Sequence, residues 1–327
     1  MFSLSRVAHA LRRRSLGEWL RTAQGAAFGD NVYASASLRV INDYDAHWPT
    51  APRADDPDLV RLHRDGYVNL GNLGIDVAGC AERAGRVFDR CPRSDSSIVK
   101  ILIDHPFLFD PLPLAYLKSE RVNKIVRWYL GDDATFDDAQ LSRLPDASSN
   151  PTISGLWHHD GVGHVLYLWV LLHDLDERGR ATWYATGSHH RSLLDNRLSR
   201  SRSTDAEVRS TYPNIIRCTG KRGDAFLTDA HGWHRATFEP GSTRRDSLYL
   251  AFSSHAKARA LRHPLMNHGI GIVDELFPGD FDPAGTLLRR ERLTRDGPYL
   301  KYTGYGRAPA RSSDILVVLD HDGREKR

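Results

Sequence analysis

The residues best placed to do chemistry are Trp157-His158-His159-Asp160. On an extended backbone side chains alternate with period two, so His158 and Asp160 project to one side and His159 to the other. An imidazole and a carboxylate then converge on one point. A second histidine from a distant strand would complete a two-histidine, one-carboxylate triad. Such a triad suits non-haem Fe(II) and leaves three adjacent positions for a bidentate cosubstrate and O2. A His-x-Asp pair is a weak signal alone, because the chain carries 16 histidines. It also contains His63-Arg64-Asp65 directly before Gly66. That pair reads as a helix end with no metal role.

The downstream context distinguishes the first pair. About 70 residues on, Gly223-Asp224 opens a strand that runs to His231-Gly232-Trp233-His234. Arg244 and Arg245 stand about eleven residues beyond His234, at the mouth of a strand running from Ser247 to Phe252. A guanidinium entering a buried strand is costly unless it meets an anion. Its planar fork suits a carboxylate held by two hydrogen bonds. The order is three metal ligands followed by a carboxylate clamp.

This set resembles the phytanoyl-CoA dioxygenase branch of the Fe(II)/2-oxoglutarate-dependent oxygenases. The family reads Trp-His-x-Asp, a Trp-bearing strand, an acidic turn, a strand with a Pro-Gly-Ser-His-like turn, a Gly-Asp strand block ending in Trp-His, and a later Arg. Here the blocks are Trp157 to Asp160, Trp169, Asp174 to Gly179, Thr186-Gly187-Ser188-His189, Gly223-Asp224, Trp233-His234 and Arg245. The resemblance as a whole covers about residues 60 to 255. Ala185-Thr186 stands where the family has Pro, and Arg178-Gly179 where it has Asn-Gly. Both departures fall in turns.

The resemblance implies that His158, Asp160 and His234 are iron ligands and that Arg245 clamps the distal carboxylate of 2-oxoglutarate. Trp169, Ser247 and Gln140 are further candidate cosubstrate contacts. Arg244 rivals Arg245, and strand parity decides between them: Arg245, Ser247, Tyr249 and Ala251 share one face, Arg244, Leu248, Leu250 and Phe252 the other. The more polar face suits the inside of a site. His231 rivals His234, but the family places its ligand directly after an aromatic residue, which leaves His231 a supporting or surface role. The implied activity is that of a dioxygenase using Fe(II), 2-oxoglutarate and O2 to hydroxylate or otherwise oxidise an unactivated C–H bond, with release of succinate and CO2. Asp160 supports C–H oxidation, since halogenating relatives carry a small residue there.

The expected scaffold is mainly β with flanking helices: a double-stranded β-helix (jelly-roll, cupin-like) core. Three parts are expected: an N-terminal helical extension and linker at 1–58, the oxygenase core with supporting helices at 59–258, and a C-terminal extension packed on the core at 259–327. Between about 136 and 255, short runs of Val, Leu, Trp, Tyr and Thr alternate with Gly, Asp and Ser turns. Residues 59–70 read as a helix ending at Gly66 and a short strand; 77–91 and 111–130 read as helices, and 314–319 as a late strand. Gln140 and Ser142 share a face of one strand and Arg143 lies on the other; either face is open to cosubstrate or substrate. Lys100, in an apolar run, is expected to snorkel to solvent rather than reach an anionic substrate. His159 reads as a surface or supporting histidine. His189 and His190 read as a solvated turn near the mouth, and Trp169 either lies beside the cosubstrate or belongs to the core.

Composition narrows the alternatives. With 45 basic and 41 acidic residues the net charge is +4, mild for a nucleic-acid binder, and no aromatic-basic interleaving accompanies it. No nucleic-acid partner is expected. Cys80, Cys91 and Cys218 form no Cys-x-x-Cys pair, which excludes a disulfide framework and a Cys-rich zinc module and fits a cytoplasmic location. No run approaches the ~18–20 apolar residues of a membrane span. Residues 1–24 read as a basic amphipathic helix packed on the domain, with peripheral membrane contact or targeting as alternatives. Residues 43–58 read as a linker. Arg289, Arg290, Arg292 and Arg295 form a second basic patch. The two basic regions suggest a lipid-like or carrier-bound substrate beside a small-molecule one. The rivals are a cupin-like metal enzyme not using 2-oxoglutarate, and a non-catalytic membrane-surface interaction protein.

Overall fold

Helix α1 (Pro57–Asp65) is fixed at both ends by its own sequence. The Asp56 carboxylate accepts from the Asp58 and Leu59 amides at 3.1 and 3.3 Å, Pro57 occupies the first turn, and Gly66 at φ 71° ends it. The helix therefore begins inside the segment read as a linker. The computed structural model describes residues 55–92, 98–104, 106–131, 134–147, 155–160, 164–191, 202–237, 239–254 and 315–325. The basic helix expected at 1–24, most of the 43–58 segment and the patch at 289–295 lie outside the described residues.

The chain continues through β1 (Tyr67–Asn72), α2 (Ala78–Asp89), β2 (Ile98–Ile103), α3 (Pro106–Phe109), α4 (Leu112–Leu117) and α5 (Glu120–Leu130). The helix expected within 111–130 and ending near Gly131 is α5, and the short α4 precedes it. Ser119 adopts an extended backbone, and its hydroxyl caps the Val122 amide, so the helix restarts there. The strands β3 (Ala134–Leu144), β4 (Trp157–His158), β5 (Leu166–Leu171), β6 (Thr182–Ala185), β7 (Arg202–Ser203), β8 (Ile215–Cys218), β9 (Asp224–Asp229), β10 (His234–Ala236) and β11 (Arg245–Ser254) follow, with α6 (Asp205–Thr211) after β7. The strand β12 (Ile315–Leu319) comes last.

These strands form a seven-stranded sheet, β1-β9-β5-β11-β3-β2-β12, and a five-stranded sheet, β7-β4-β10-β6-β8. From β3 onward the chain crosses between them, so that β9-β5-β11-β3 of one sheet oppose β4-β10-β6-β8 of the other. That winding is a double-stranded β-helix, a jelly roll. Its pairings are antiparallel; β12 alone among the paired strands runs parallel, beside β2.

Period-two alternation gives the larger sheet two unlike faces. Leu166, Leu168, Val170, Leu248, Leu250 and Phe252 are completely buried on the outer face, in one apolar cluster with Leu59, Leu62, Val122 and Val126 of α1 and α5. The inner face carries Tyr167, Trp169 and Leu171 on β5 in register with Ala251, Tyr249 and Ser247 on β11. A second cluster, including Trp157, Trp183, Leu171 and Phe226, lies between the sheets. The helices thus stiffen one side of the sheet and leave the other for a site. No described helix is long and apolar enough to cross a membrane.

Candidate metal centre

Strands β4 and β10 are neighbours, and their register sets His158 directly opposite His234, with ring centroids 4.4 Å apart. Asp160 lies two residues past the end of β4, where its backbone N–H donates to the Ala230 carbonyl at 2.8 Å. One ligand atom from each of the three falls within 4.8 Å of the others, and this is the one such group among the described residues. His234 Nε2 is 3.3 Å from Asp160 Oδ2, and His158 Nε2 is 4.0 Å from Oδ1.

The imidazoles are oriented from behind. His158 Nδ1 lies 2.7 Å from the Leu156 carbonyl and His234 Nδ1 lies 3.0 Å from the Gly232 carbonyl. A carbonyl only accepts, so each Nδ1 carries the hydrogen and each Nε2 turns a lone pair toward the carboxylate. Three electron-pair donors converge with no hydrogen of their own between them, an arrangement that calls for a cation. Where no cation is bound, protonated imidazoles take that role: burial alone would raise the Asp160 carboxyl, but the hydrogen bond and charge of a protonated His234, the charge of a protonated His158 and the Tyr167 hydroxyl hold it well below the usual carboxylate range. The donor set fits a divalent metal, and two nitrogens with one oxygen fit Fe(II).

Across the core, Arg245 at the start of β11 is 5% exposed and projects to the inner face of the larger sheet. Its Nη1 donates to Thr182 Oγ1 at 2.5 Å, and the guanidinium carbon stands 4.9 Å from the Trp169 ring centre. Its Nε has no partner, and among the described residues no carboxylate pairs with it. Burial first, and then the like charge of Arg180, brings its pKa down to about 10, which leaves it charged at neutral pH. Ser247, in line with Arg245 on the same face, is buried with its hydroxyl unpartnered. A buried cation and an idle hydroxyl side by side form a cradle for an anion. Arg244 is half exposed and turns toward Asp89 and Asp246.

Trp169 lies on the inner face, its indole N–H donating to Thr228 Oγ1 at 3.3 Å. Gln140 and Ser142 are buried in register with Tyr249 and Ser247. Lys100 does not snorkel to solvent: its ammonium donates to Gln140 Oε1 and lies 6.0 Å from the Tyr249 ring centre, because its place on β2 turns it toward the inner face. Arg143 is not available to a ligand. It grips Asp246 with two hydrogen bonds of 2.6 and 2.8 Å and reaches Asp89 at 2.5 Å, on the helix side of the sheet.

Several other described histidines meet protein groups away from the triad. His231 is not at the surface; it is 1% exposed, and its Nε2 meets the Arg191 carbonyl at 3.0 Å. His189 is wholly buried rather than solvated, since the turn at Ser188–His190 folds against the end of α1 and sets its Nε2 2.9 Å from the His63 carbonyl. His190 is exposed. His159 turns away from the triad and meets the edge of Trp233. The pair His63 and Asp65 ends α1 as expected, with Asp65 held by Arg64.

Sequence reasoning did not single out Tyr167, whose hydroxyl donates to Asp160 Oδ2 at 3.1 Å, or Thr182, the partner of Arg245. Tyr167 carried a usable signal, being two residues from Trp169 on the same strand face. Thr182 carried none, because its partner is 63 residues away. Also unforeseen was Asp229, a fully buried carboxylate that accepts from Tyr129 Oη at 2.6 Å, from His164 Nδ1 and from the His231 amide at 2.9 Å.

No protein-family model matches the chain, and no curated protein matches it. Several solved structures share its shape. EctD from S. alaskensis with 2-oxoglutarate and 5-hydroxyectoine is 20% identical, with a TM-score of 0.46 over 64% of this chain and 86% of its own. EvdO2 from Micromonospora carbonacea var. aurantiaca is 19% identical, with a TM-score of 0.46 over 62% of this chain and 93% of its own. The epimerase SnoN in complex with Fe3+, alpha ketoglutarate and nogalamycin RO is 16% identical, with a TM-score of 0.45 over 76% of this chain and 94% of its own. These are likenesses of shape at low identity; the chemistry rests on this chain's own residues.

Proposed function

We propose that the chain is an Fe(II)- and 2-oxoglutarate-dependent oxygenase acting on an unactivated C–H bond of a small-molecule, lipid-like or carrier-bound substrate. One oxygen atom of O2 enters the hydroxylated product, and the other enters succinate as 2-oxoglutarate loses CO2. The observation that carries this reading is Arg245, a buried cation with no carboxylate partner among the described residues, on a sheet face opposite the strands of the His158, Asp160 and His234 group.

His158, Asp160 and His234 would hold the iron. Arg245 and Ser247 would hold the distal carboxylate of 2-oxoglutarate, with Thr182 and Trp169 keeping the guanidinium fork in one orientation. Trp169 and Gln140 would line the cosubstrate's flank. Bound iron and 2-oxoglutarate together supply the activation of O2 that no side chain can provide. The chain contributes geometry: a ligand set already turned inward, a fixed positive charge, and aromatic walls from Tyr167, Trp169 and Tyr249 that exclude water.

A cupin-like enzyme that ignores 2-oxoglutarate would have no use for Arg245. An interaction protein would have no use for the triad. The test is anaerobic addition of Fe(II) and 2-oxoglutarate to the purified chain, followed by succinate assay in air across metabolite classes. A visible charge-transfer band and succinate release are expected. Iron binding without any response to 2-oxoglutarate would favour the cupin-like enzyme, and no iron binding would end the oxygenase reading.

A further inference from the structure

Each metal-facing histidine has a partner that sets its orientation: the Leu156 carbonyl for His158 and the Gly232 carbonyl for His234. Asp160 lies beyond the end of β4, so strand pairing does not fix its side chain. Among the described residues its carboxylate interacts with the two imidazoles and with the Tyr167 hydroxyl, 3.1 Å from Oδ2. We propose that Tyr167 is a positioning residue for the metal centre: its hydroxyl holds Oδ2, the Asp160 oxygen that faces His234, and so fixes the carboxylate's rotation between the two imidazoles. This rests on the triad being a metal site.

The geometry around Tyr167 suits that task. It stands on β5, in the larger sheet, whereas the imidazoles come from the smaller one. Its hydroxyl therefore ties the two sheets at the point where the ligands meet. Its ring is wedged between aromatic neighbours, edge-on to Tyr249 at 4.8 Å and to Trp169 and His234 at 6.3 Å each. A phenol held this way loses little freedom on making its hydrogen bond. A carboxylate whose rotation is fixed this way meets the two imidazoles in one orientation rather than several, as outer-sphere partners of metal ligands commonly arrange.

The test compares the metal-free full chain with Tyr167→Phe and Asp160→Ala, titrating each anaerobically with Mn(II) alone and following bound metal by electron paramagnetic resonance. Tyr167→Phe keeps the ring and removes only the hydroxyl. The expected result is a loss of Mn(II) affinity of about 10- to 100-fold, the usual range for outer-sphere partners, with a changed bound-Mn(II) spectrum. The unfolding temperature of the metal-free protein should stay the same. A loss smaller than about tenfold, or an unaltered spectrum, overturns the proposal. A matching fall in metal-free stability also overturns it, since the hydroxyl would then serve the fold and not the centre. If the unsubstituted protein binds no Mn(II), or binds it as well after Asp160→Ala, the triad reading itself fails, an outcome separable from failure of Tyr167 alone.

Discussion

Arg245 is surrounded by groups that steady it without neutralising it: a threonine hydroxyl, an indole face and a second buried guanidinium, Arg180. Arg180 is anchored by the Thr237 and Pro145 carbonyls at 3.1 and 2.8 Å, and its charge adds to the positive potential around Arg245. Arg245→Gln should therefore act on cosubstrate binding first. Losing a buried charge-assisted pair costs about 2–5 kcal/mol, so the KM for 2-oxoglutarate should rise about 100-fold while kcat falls far less. Succinate assays at varied 2-oxoglutarate would show it. Arg244→Gln, on the half-exposed neighbour, should leave that KM within about twofold. Which of the two arginines faces inward was legible from parity alone, because the adjoining Leu248, Leu250 and Phe252 had to face a core. Lys100 was misjudged because a lysine's direction depends on which face of β2 meets the site, and the flanking isoleucines and leucine look alike from either side.

At the scale of elements, the turn between β9 and β10 does the assembling. Its Ala230 carbonyl receives the Asp160 amide, its Gly232 carbonyl orients His234, and the Trp233 amide donates to Ser188 Oγ at 2.8 Å. The Asp229 carboxylate ties this turn to α5 through Tyr129 and to the approach of β5 through His164. A side chain on Gly232 would run into the Tyr184 hydroxyl and Ser188 Oγ. Gly232→Ala should cost about 1–3 kcal/mol by overpacking and weaken metal binding by displacing the carbonyl behind His234; thermal melts and Mn(II) titration would read both. Asp229→Ala strands three buried donors at once and should lose about 3–5 kcal/mol in denaturant unfolding. The strand-rich character of the region from about 136 to 255 was readable from short apolar runs and turn residues; the order of the strands was not. The Asp229 network was not, because its donors come from residues 129, 164 and 231 and meet only after folding.

The molecule as a whole carries buried, uncharged imidazoles on the helix side of the barrel. Burial, set against the pull of Asp229, drops the His189 pKa from 6.5 to about 3, and His231 is pushed well down by burial and by His164. The unfolded chain takes up protons below about pH 6.5 that the folded His189 refuses until about 3. Stability should therefore be complete above pH 6.5 and fall on acidification through that window, by up to about 1.4 kcal/mol per pH unit for each such residue. Melting temperatures from pH 7.5 downward would show the slope, and His189→Asn should flatten it. The jelly roll was legible in the sequence as a whole, and so was a late strand near residue 315. Its neighbour was not, since an apolar pentapeptide carries no address for its partner. That neighbour is β2, more than 200 positions earlier. During synthesis on a ribosome β2 must then wait for more than 200 further residues before β12 can cover that flank. Val317 and Leu319, both wholly enclosed, arrive only with β12. The closing of this sheet is a late step in the protein's birth, and an edge left open that long is where a nascent chain is most exposed to mispairing with another of its kind.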